Sequence, residues 1–228
     1  MDTLPTLAGR IVSLQVSLPR KLTTAAGKEW TSAIAKTPVE KSVTLGQENL
    51  EGDYQANRKY HGGPDKAICF YPVEHLPRWH ETLGMELPCG AFGENITAKG
   101  LTEDLVCIGD ILEIGSGGVR VQVSQPRQPC ANVSKRWSRP DLPRRMEVTG
   151  WTGFYTRVMQ AGDVTPGDTL TLRERPYPGW TILRANQIMY AQTPNPREIT
   201  DLRDLPFLSA EWKRMLGRKI TRLTETAG

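Results

Sequence analysis

The run GVRVQVSQPRQPC, Gly118 to Cys130, builds a strand and then stiffens the chain in front of a thiol. Val119, Val121 and Val123 alternate with polar residues, the period of a half-buried β-strand. Pro126 and Pro129 then fix two φ angles and remove two backbone donors, so the loop has little freedom left to lose on folding. Arg127 stands three residues before Cys130, and a guanidinium near a thiol favours the thiolate, the form that binds metal or attacks electrophiles. A buried, inert cysteine is the other reading, and the motif alone leaves both open.

Outward from this run the chain repeats the strand pattern. RIVSLQVSL, residues 10–18, places Val12, Leu14, Val16 and Leu18 on one face, and KAICFY, DILEIG and DTLTL add further short strands. GSGG at 115–118 predicts a hairpin loop. IGDILEI from Ile108 and PGDTLTL from Pro166 echo one another, each a Gly-Asp turn launching an alternating strand, which predicts two equivalent corners. Many short strands with few helices favour a mainly β fold, a closed or nearly closed barrel, over a parallel sheet with helical crossovers.

Helical periodicity is confined to a few places. YPVEHLPRWHETLG fits one helix, with Leu76, Trp79 and Leu83 on one face, Pro77 in its first turns and Gly84 as its stop. After RERPYPGW the pattern changes. Thr181 caps a helix bearing Ile182, Ala185 and Ile188, a short segment around Ile199 and Leu202 follows Pro194 and Pro196, and Ser209 caps a third helix with Trp212, Met215, Leu216 and Ile220 aligned. The division expected is a barrel over residues 1–178 and a small extension of three short helices over 179–228, packed on it.

The 228 residues suffice for a real core, and interspersed charges of both signs exclude a disordered chain. A net charge of +4 is too mild to diagnose a nucleic-acid polymer as partner. No membrane-length apolar run and no basic start leading into an apolar signal core are present, so a cytoplasmic protein is expected and the glycosylation-type triplets at Asn95 and Asn132 are set aside. Cys69, Cys89, Cys107 and Cys130 match no zinc or iron–sulfur spacing and are expected as free thiols. Cys69 and Cys107 read as core, and Cys89 stays open.

Two other stretches carry chemistry. EGDYQANRKYHGGPDKA, residues 51–67, crowds Arg58, Lys59, Lys66 and His61 around a Gly-Gly turn, suited to an anion and a proton, or else to an exposed charged hairpin. FGENIT, residues 92–97, offers the Asn95 amide to a pocket. SKRWSRPDLPRR, residues 134–145, is expected to be a solvated basic loop, since Asp141 and the prolines interrupt it.

Taken in order, LEGDYQANRKYHGGPDKAICFYPVEH, AFGENIT, IGDILEIG, VQVSQPRQPC and TGWTGFYTRV resemble the MOSC domain family, in its YiiM-like branch, from about residue 8 to 175, and the tail is similar to the three-helix extension of that branch. The resemblance implies a MOSC-type β-barrel of mixed topology holding molybdenum cofactor, with no pyridoxal phosphate. It implies Cys130 as thiolate ligand to molybdenum and His61 as a pocket residue that protonates substrate or orients the cofactor. Arg127, Arg58, Lys59 and Lys36 become candidate anion contacts, Asn95 a hydrogen-bond partner of the pterin, and Asp53 or Asp65 a brace for the loop. Cys130, His61 and Arg127 form the catalytic set so implied.

The activity implied is reduction of N-hydroxylated compounds, such as hydroxylaminopurine-type base analogues and amidoximes, to amines or amidines, a detoxification. The alternative is a carrier of the cofactor or its sulfur without turnover, and a third reading is a barrel that binds no molybdenum. The chain contains no nucleotide fingerprint and no C-x4-C-x2-C run, so electrons must come from a separate flavoprotein or ferredoxin-type donor, docked by the basic residues between Lys135 and Arg145. A homodimer is compatible with all of these.

Overall fold

The computed structural model describes residues 7–226. Twelve strands follow in chain order: β1 (Ala8–Val16), β2 (Arg20–Thr23), β3 (Glu29–Ser32), β4 (Thr37–Val39), β5 (Val43–Leu45), β6 (Ile68–Pro72), β7 (Ile96–Lys99), β8 (Ile111–Ile114), β9 (Val119–Pro126), β10 (Phe154–Gln160), β11 (Gly162–Val164) and β12 (Thr169–Glu174). Seven helices lie between and after them: α1 (Arg58–His61), α2 (His75–Leu83), α3 (Ala131–Trp137), α4 (Leu142–Thr149), α5 (Ile182–Tyr190), α6 (Pro196–Arg203) and α7 (Ala210–Thr226).

Seven strands run β12-β8-β9-β10-β6-β7-β1, and β12 returns to β1 through Ala8 opposite Thr171 and Arg10 opposite Thr169, closing a barrel. β4 lies outside this ring, paired to the far end of β1. The β6–β7 pair is parallel, with α2 in its connection, and the other barrel pairs are antiparallel. The fold is therefore mainly β and of mixed topology. Closure leaves no long open edge on the ring. Phe70 and Phe154 stack inside it, with centroids 5.1 Å apart and planes 4° from parallel.

The β1 face is corrected. Its register slips between Ile11 and Ser13, so Val12 is an extra residue bulging out of the ladder. Ile11 and Leu14 become the buried pair, Val12 is 42% exposed, Val16 is half-buried and Leu18, past the strand end, is 63% exposed. A bulge of one residue reverses the faces of everything before it, which simple alternation cannot anticipate.

The two Gly-Asp corners are equivalent in atomic detail. Asp110 accepts from the Cys107 amide at 2.9 Å and Asp168 from the Thr165 amide at 2.8 Å, with Gly109 and Gly167 at φ 86° and 96°. They launch β8 and β12, which pair with each other.

Helix ends follow the expected caps: the Thr181 hydroxyl accepts from the Arg184 amide at 3.1 Å, the Ser209 hydroxyl from Trp212 at 3.2 Å, and α2 stops at left-handed Gly84. Ile182, Ala185, Ile199, Leu202, Trp212 and Leu216 are buried in the same apolar cluster as the barrel interior. The last helix, at 17 residues, is not short. The stretch 134–145 is also corrected: it lies mostly in α3 and α4, because Val133, Leu142 and Met146 bury against Tyr71, Trp79 and Phe92 beneath the charged surface.

Gly153 precedes β10 at φ 75°, and a Cβ there would overlap the Phe70 carbonyl oxygen. Gly153→Ala combines left-handed strain with overpacking and is expected to cost about 2–5 kcal/mol. Urea midpoints of the two proteins measure it.

Candidate functional site

A cavity of about 300 Å³ opens between the β2–β3 hairpin, the 53–66 segment and the loop leading from β9 into α3. Arg127 and Cys130 both reach it, because the proline-stiffened loop runs along its wall. The Arg127 amide donates to the Gly153 carbonyl at 3.0 Å, and its Nη2 donates to the Phe92 carbonyl. The side chain is nearly enclosed, the residue being 4% exposed, yet Nη1 has no protein partner. Burial opposes this charge, but the acidic neighbours Cys69, Tyr155, Cys130 and Glu94, which would be anionic at the high pH where an arginine could lose its proton, hold the guanidinium above its ordinary range. A buried charged donor without a partner calls for an anion.

Cys130 is half-buried and precedes α3 in an extended conformation, φ −124° and ψ 164°, its carbonyl accepting from the Val133 amide at 3.1 Å. The other thiols are poor nucleophiles. Burial pushes Cys69 up to about 12 and Cys107 up to about 11, and also raises Cys89.

Lys36 meets Asp53 in a buried ion pair. Asp53 also accepts from the Ser17 amide at 2.8 Å and from Asn95 Nδ2 at 2.8 Å, while Asn95 Oδ1 accepts from the Cys69 amide at 3.2 Å. Asp53 is thus the brace of this wall. Asn95 lines the cavity, but its carboxamide is committed to neighbours on both sides. Glu94 shapes the adjoining turn, accepting from the Gly90 and Phe92 amides at 2.6 and 3.0 Å.

His61 ends α1 and lines the cavity. Its pKa is lowered, first by burial, then by Arg127 and Lys66, with Glu211 opposing them. The ring is therefore neutral at pH 7. Lys66 lines the same wall and donates to the Tyr60 carbonyl at 2.7 Å.

The structure thus brings together Lys36, His61, Asn95, Arg127 and Cys130. It does not bring Arg58 or Lys59 to the cavity. Arg58 turns to Glu48 and stacks on Tyr54, and Lys59 lies over the Tyr60 ring at 5.6 Å, each drawn to a local partner. Asp65 holds Arg157 instead of the cavity wall. Trp30, Asn132 and Tyr155 line the cavity but were not part of the expected set, and so does Lys66, read from the sequence as able to meet an anion though not carried into the set the resemblance implies. Only Lys66 had a local signal, its place beside the Gly-Gly turn.

No cluster of three or more His, Cys, Asp or Glu side chains among the described residues is placed to hold a metal ion. A metal held by Cys130 would have to bring its other ligands with it. The donor set suits a molybdenum pyranopterin in that sense: one sulfur for the metal, and Arg127 Nη1 with the Lys36 and Lys66 ammonium groups for the anionic part.

Barrel and cavity together define the class, and residues 57–171 match the MOSC domain. The chain belongs to the MOSC domain family. Residues 180–222 match the YiiM-like, 3-alpha helix domain, which assigns it to the YiiM-like branch. It is 42% identical to the uncharacterized protein YflK of Bacillus subtilis, over 93% of this chain and 95% of that one. Protein YiiM of Escherichia coli is 35% identical over 82% of this chain and 84% of its own length. The crystal structure of YiiM from Geobacillus stearothermophilus superposes with a TM-score of 0.78 at 40% identity, covering 93% of this chain and 99% of that one. A Gibberella moniliformis protein named reductase is 34% identical over 90% of this chain, which spans 37% of it.

The depressed His61 pKa has a consequence for stability. Its unfolded value is the higher, about 6.5, so the unfolded chain takes up the proton first as pH falls. This contribution is complete well above pH 6.5 and is lost below it. His61→Gln is expected to flatten the fall in urea midpoint below about pH 6.5 and to leave the curve above about pH 7.5 unchanged. A variant curve parallel to the wild type would contradict it.

Proposed function

We propose that this protein is a molybdenum cofactor-dependent oxidoreductase that reduces N-hydroxylated compounds, including hydroxylaminopurine-type base analogues and amidoximes, as a detoxification. One observation carries the reading: a half-buried cysteine opens into the same cavity as a buried guanidinium with an unpartnered nitrogen. Membership of the MOSC family and the relative named reductase support it.

In this reading the cofactor, when bound, supplies two electrons for N–O cleavage, and the balance R–NHOH + 2e⁻ + 2H⁺ gives R–NH₂ and water. The protein supplies place and charge. Cys130 Sγ is the ligand to the metal, held by a loop whose prolines leave it little entropy to lose on coordination. Arg127 Nη1 donates into the cavity, and Lys36 and Lys66 offset the negative charge of the cofactor phosphate. His61 starts neutral because burial, and then Arg127 and Lys66, disfavour its charged form. An anion beside it reverses that bias and raises its pKa, which suits it to hold and pass a proton at its ring nitrogen. Asn95, fixed by Asp53 and Cys69, keeps the wall in shape.

The electrons come from a separate flavoprotein or ferredoxin-type donor. Among the described residues no helix is long and apolar enough to cross a membrane. Cytoplasmic localisation and possession of a small-molecule substrate belong to the same proposal.

The test is molybdenum per chain together with benzamidoxime reduction, using protein from cofactor-competent cells and a supplied donor. Wild type should carry metal and turn over, while Cys130→Ala should lose both by more than the roughly ten- to hundredfold that loss of an outer-shell partner alone costs. Metal without turnover would favour the carrier reading. Absence of molybdenum from the wild type, or an unaffected alanine variant, would overturn the proposal.

A further inference from the structure

Helix α7 belongs to the C-terminal helices, yet its first turn reaches the cavity wall. Glu211 forms an ion pair with Lys66, whose side chain is 8% exposed and which lines the cavity. The preceding residue is fixed as well. The Asp65 carboxylate accepts from the Ala210 amide at 3.2 Å and from Arg157 at 2.9 and 2.7 Å. Arg157 also donates to the Phe207 carbonyl at 3.1 Å, tying β10 to the approach of α7. On the other strand, the Ser124 hydroxyl donates to the Asp65 carbonyl at 2.5 Å, and the Ser124 carbonyl accepts from the Ser209 amide at 3.0 Å. Asp65 and Lys66 are thus held by β9, β10 and the start of α7 at once.

A lysine on a four-carbon stem does not hold its place in a cationic cavity by itself. Lys66 shares the wall with Arg127 and Lys135, and mutual repulsion would drive its ammonium toward water. The Glu211 carboxylate offsets that repulsion from outside the barrel. It is also the acidic group whose field opposes Arg127 and Lys66 at His61.

We propose that Glu211 is a positioning residue of the cavity: from helix α7 it fixes the Lys66 ammonium and, with the Asp65 junction, makes the C-terminal helices part of the wall that carries His61. The competing role for an acidic residue in a first helical turn is local, stabilising its own helix through the backbone dipole. The two roles differ in where a substitution is felt.

The experiment uses the full-length protein and needs no cofactor, so it stands or falls independently of the molybdenum reading. Amide hydrogen exchange across residues 57–67 is compared in wild type, Glu211→Gln, Lys66→Met and the double variant, with Glu198→Gln as a control on α6, where Glu198 pairs with Arg184. Glu211→Gln should speed exchange in 57–67 roughly three- to tenfold, in keeping with a partly exposed ion pair, and add nothing further in the Lys66→Met background. The His61 imidazole midpoint, followed by NMR, should move to lower pH in Glu211→Gln and stay in place in Glu198→Gln. Exchange confined to α7 with 57–67 unchanged, or a His61 midpoint that does not move, would overturn the proposal.

Discussion

A charged guanidinium enclosed beside a cavity, with one nitrogen left free, is the constraint around which the site is built. Enclosing an unpaired charge costs several kcal/mol, so the groups around Arg127 must be placed before it can be tolerated. They form a continuous chain. His75 holds Glu103 at 2.6 Å, Glu103 holds the Gly153 amide at 2.7 Å, and the Gly153 carbonyl receives the Arg127 amide. The Phe92 carbonyl then takes one end of the guanidinium, in a turn whose amides are gathered by Glu94. Gly153 cannot carry a side chain, because β6 passes too close. What looks in sequence like an arginine between two prolines is in space the end of a relay running from α2 through three loops.

Enclosure separates three of the thiols. Cys69 shares the cavity with Arg127 and gains from its field, yet its enclosure outweighs that gain and keeps it protonated. Cys107 is closed off and sits beside Asp110, which pushes its thiol in the same direction. Cys130 is half-buried and turned to the cavity at the head of α3. Position on a stiff loop at the mouth, and not the count of cysteines, distinguishes it. The stiffening has a structural origin too: Pro126 ends β9 opposite Phe154, so the loop begins from a fixed point of the barrel.

Local physics made much of the fold legible. Alternation marked β8, β9 and β12, an apolar run marked β6, side-chain caps marked α5 and α7, and the Gly-Asp echo marked two corners that proved alike to the hydrogen bond. The bulge at Val12 was hidden, because nothing in IVSL distinguishes a regular strand from one with an extra residue. Helices α3 and α4 were hidden by their own charges, which mask a sparse apolar face. Lys36, His61, Asn95, Arg127 and Cys130, singled out through motif resemblance, line one cavity, whereas Arg58 and Lys59 have closer partners than the cavity. Glu211 lies 145 residues after Lys66, and the docking of the start of α7 on β9 and β10 brings them together. No local pattern can report such a pair.

The basic run that suggested a docking surface does other work in the folded chain. Arg139 and Arg145 both bind Asp141, whose carboxyl they hold well below the usual carboxylate range, and Arg144 pairs with Glu147. Arg136 donates to the Ile34 and Gly90 carbonyls at 2.6 Å each, and Lys135 lies over the Trp30 ring at 5.9 Å, so both fasten the β2–β3 hairpin to the cavity wall. Asp141 and Glu147 offset part of the charge of this run, and what is exposed is screened beyond a Debye length of roughly 8 Å. In the cavity, Arg127, Lys36, Lys66 and Lys135 converge against the carboxylates of Asp53 and Glu211, in surroundings that screen charge less than the surface does. An anionic ligand entering there would meet the field at its strongest, and its arrival would lower the cost of keeping Arg127 enclosed.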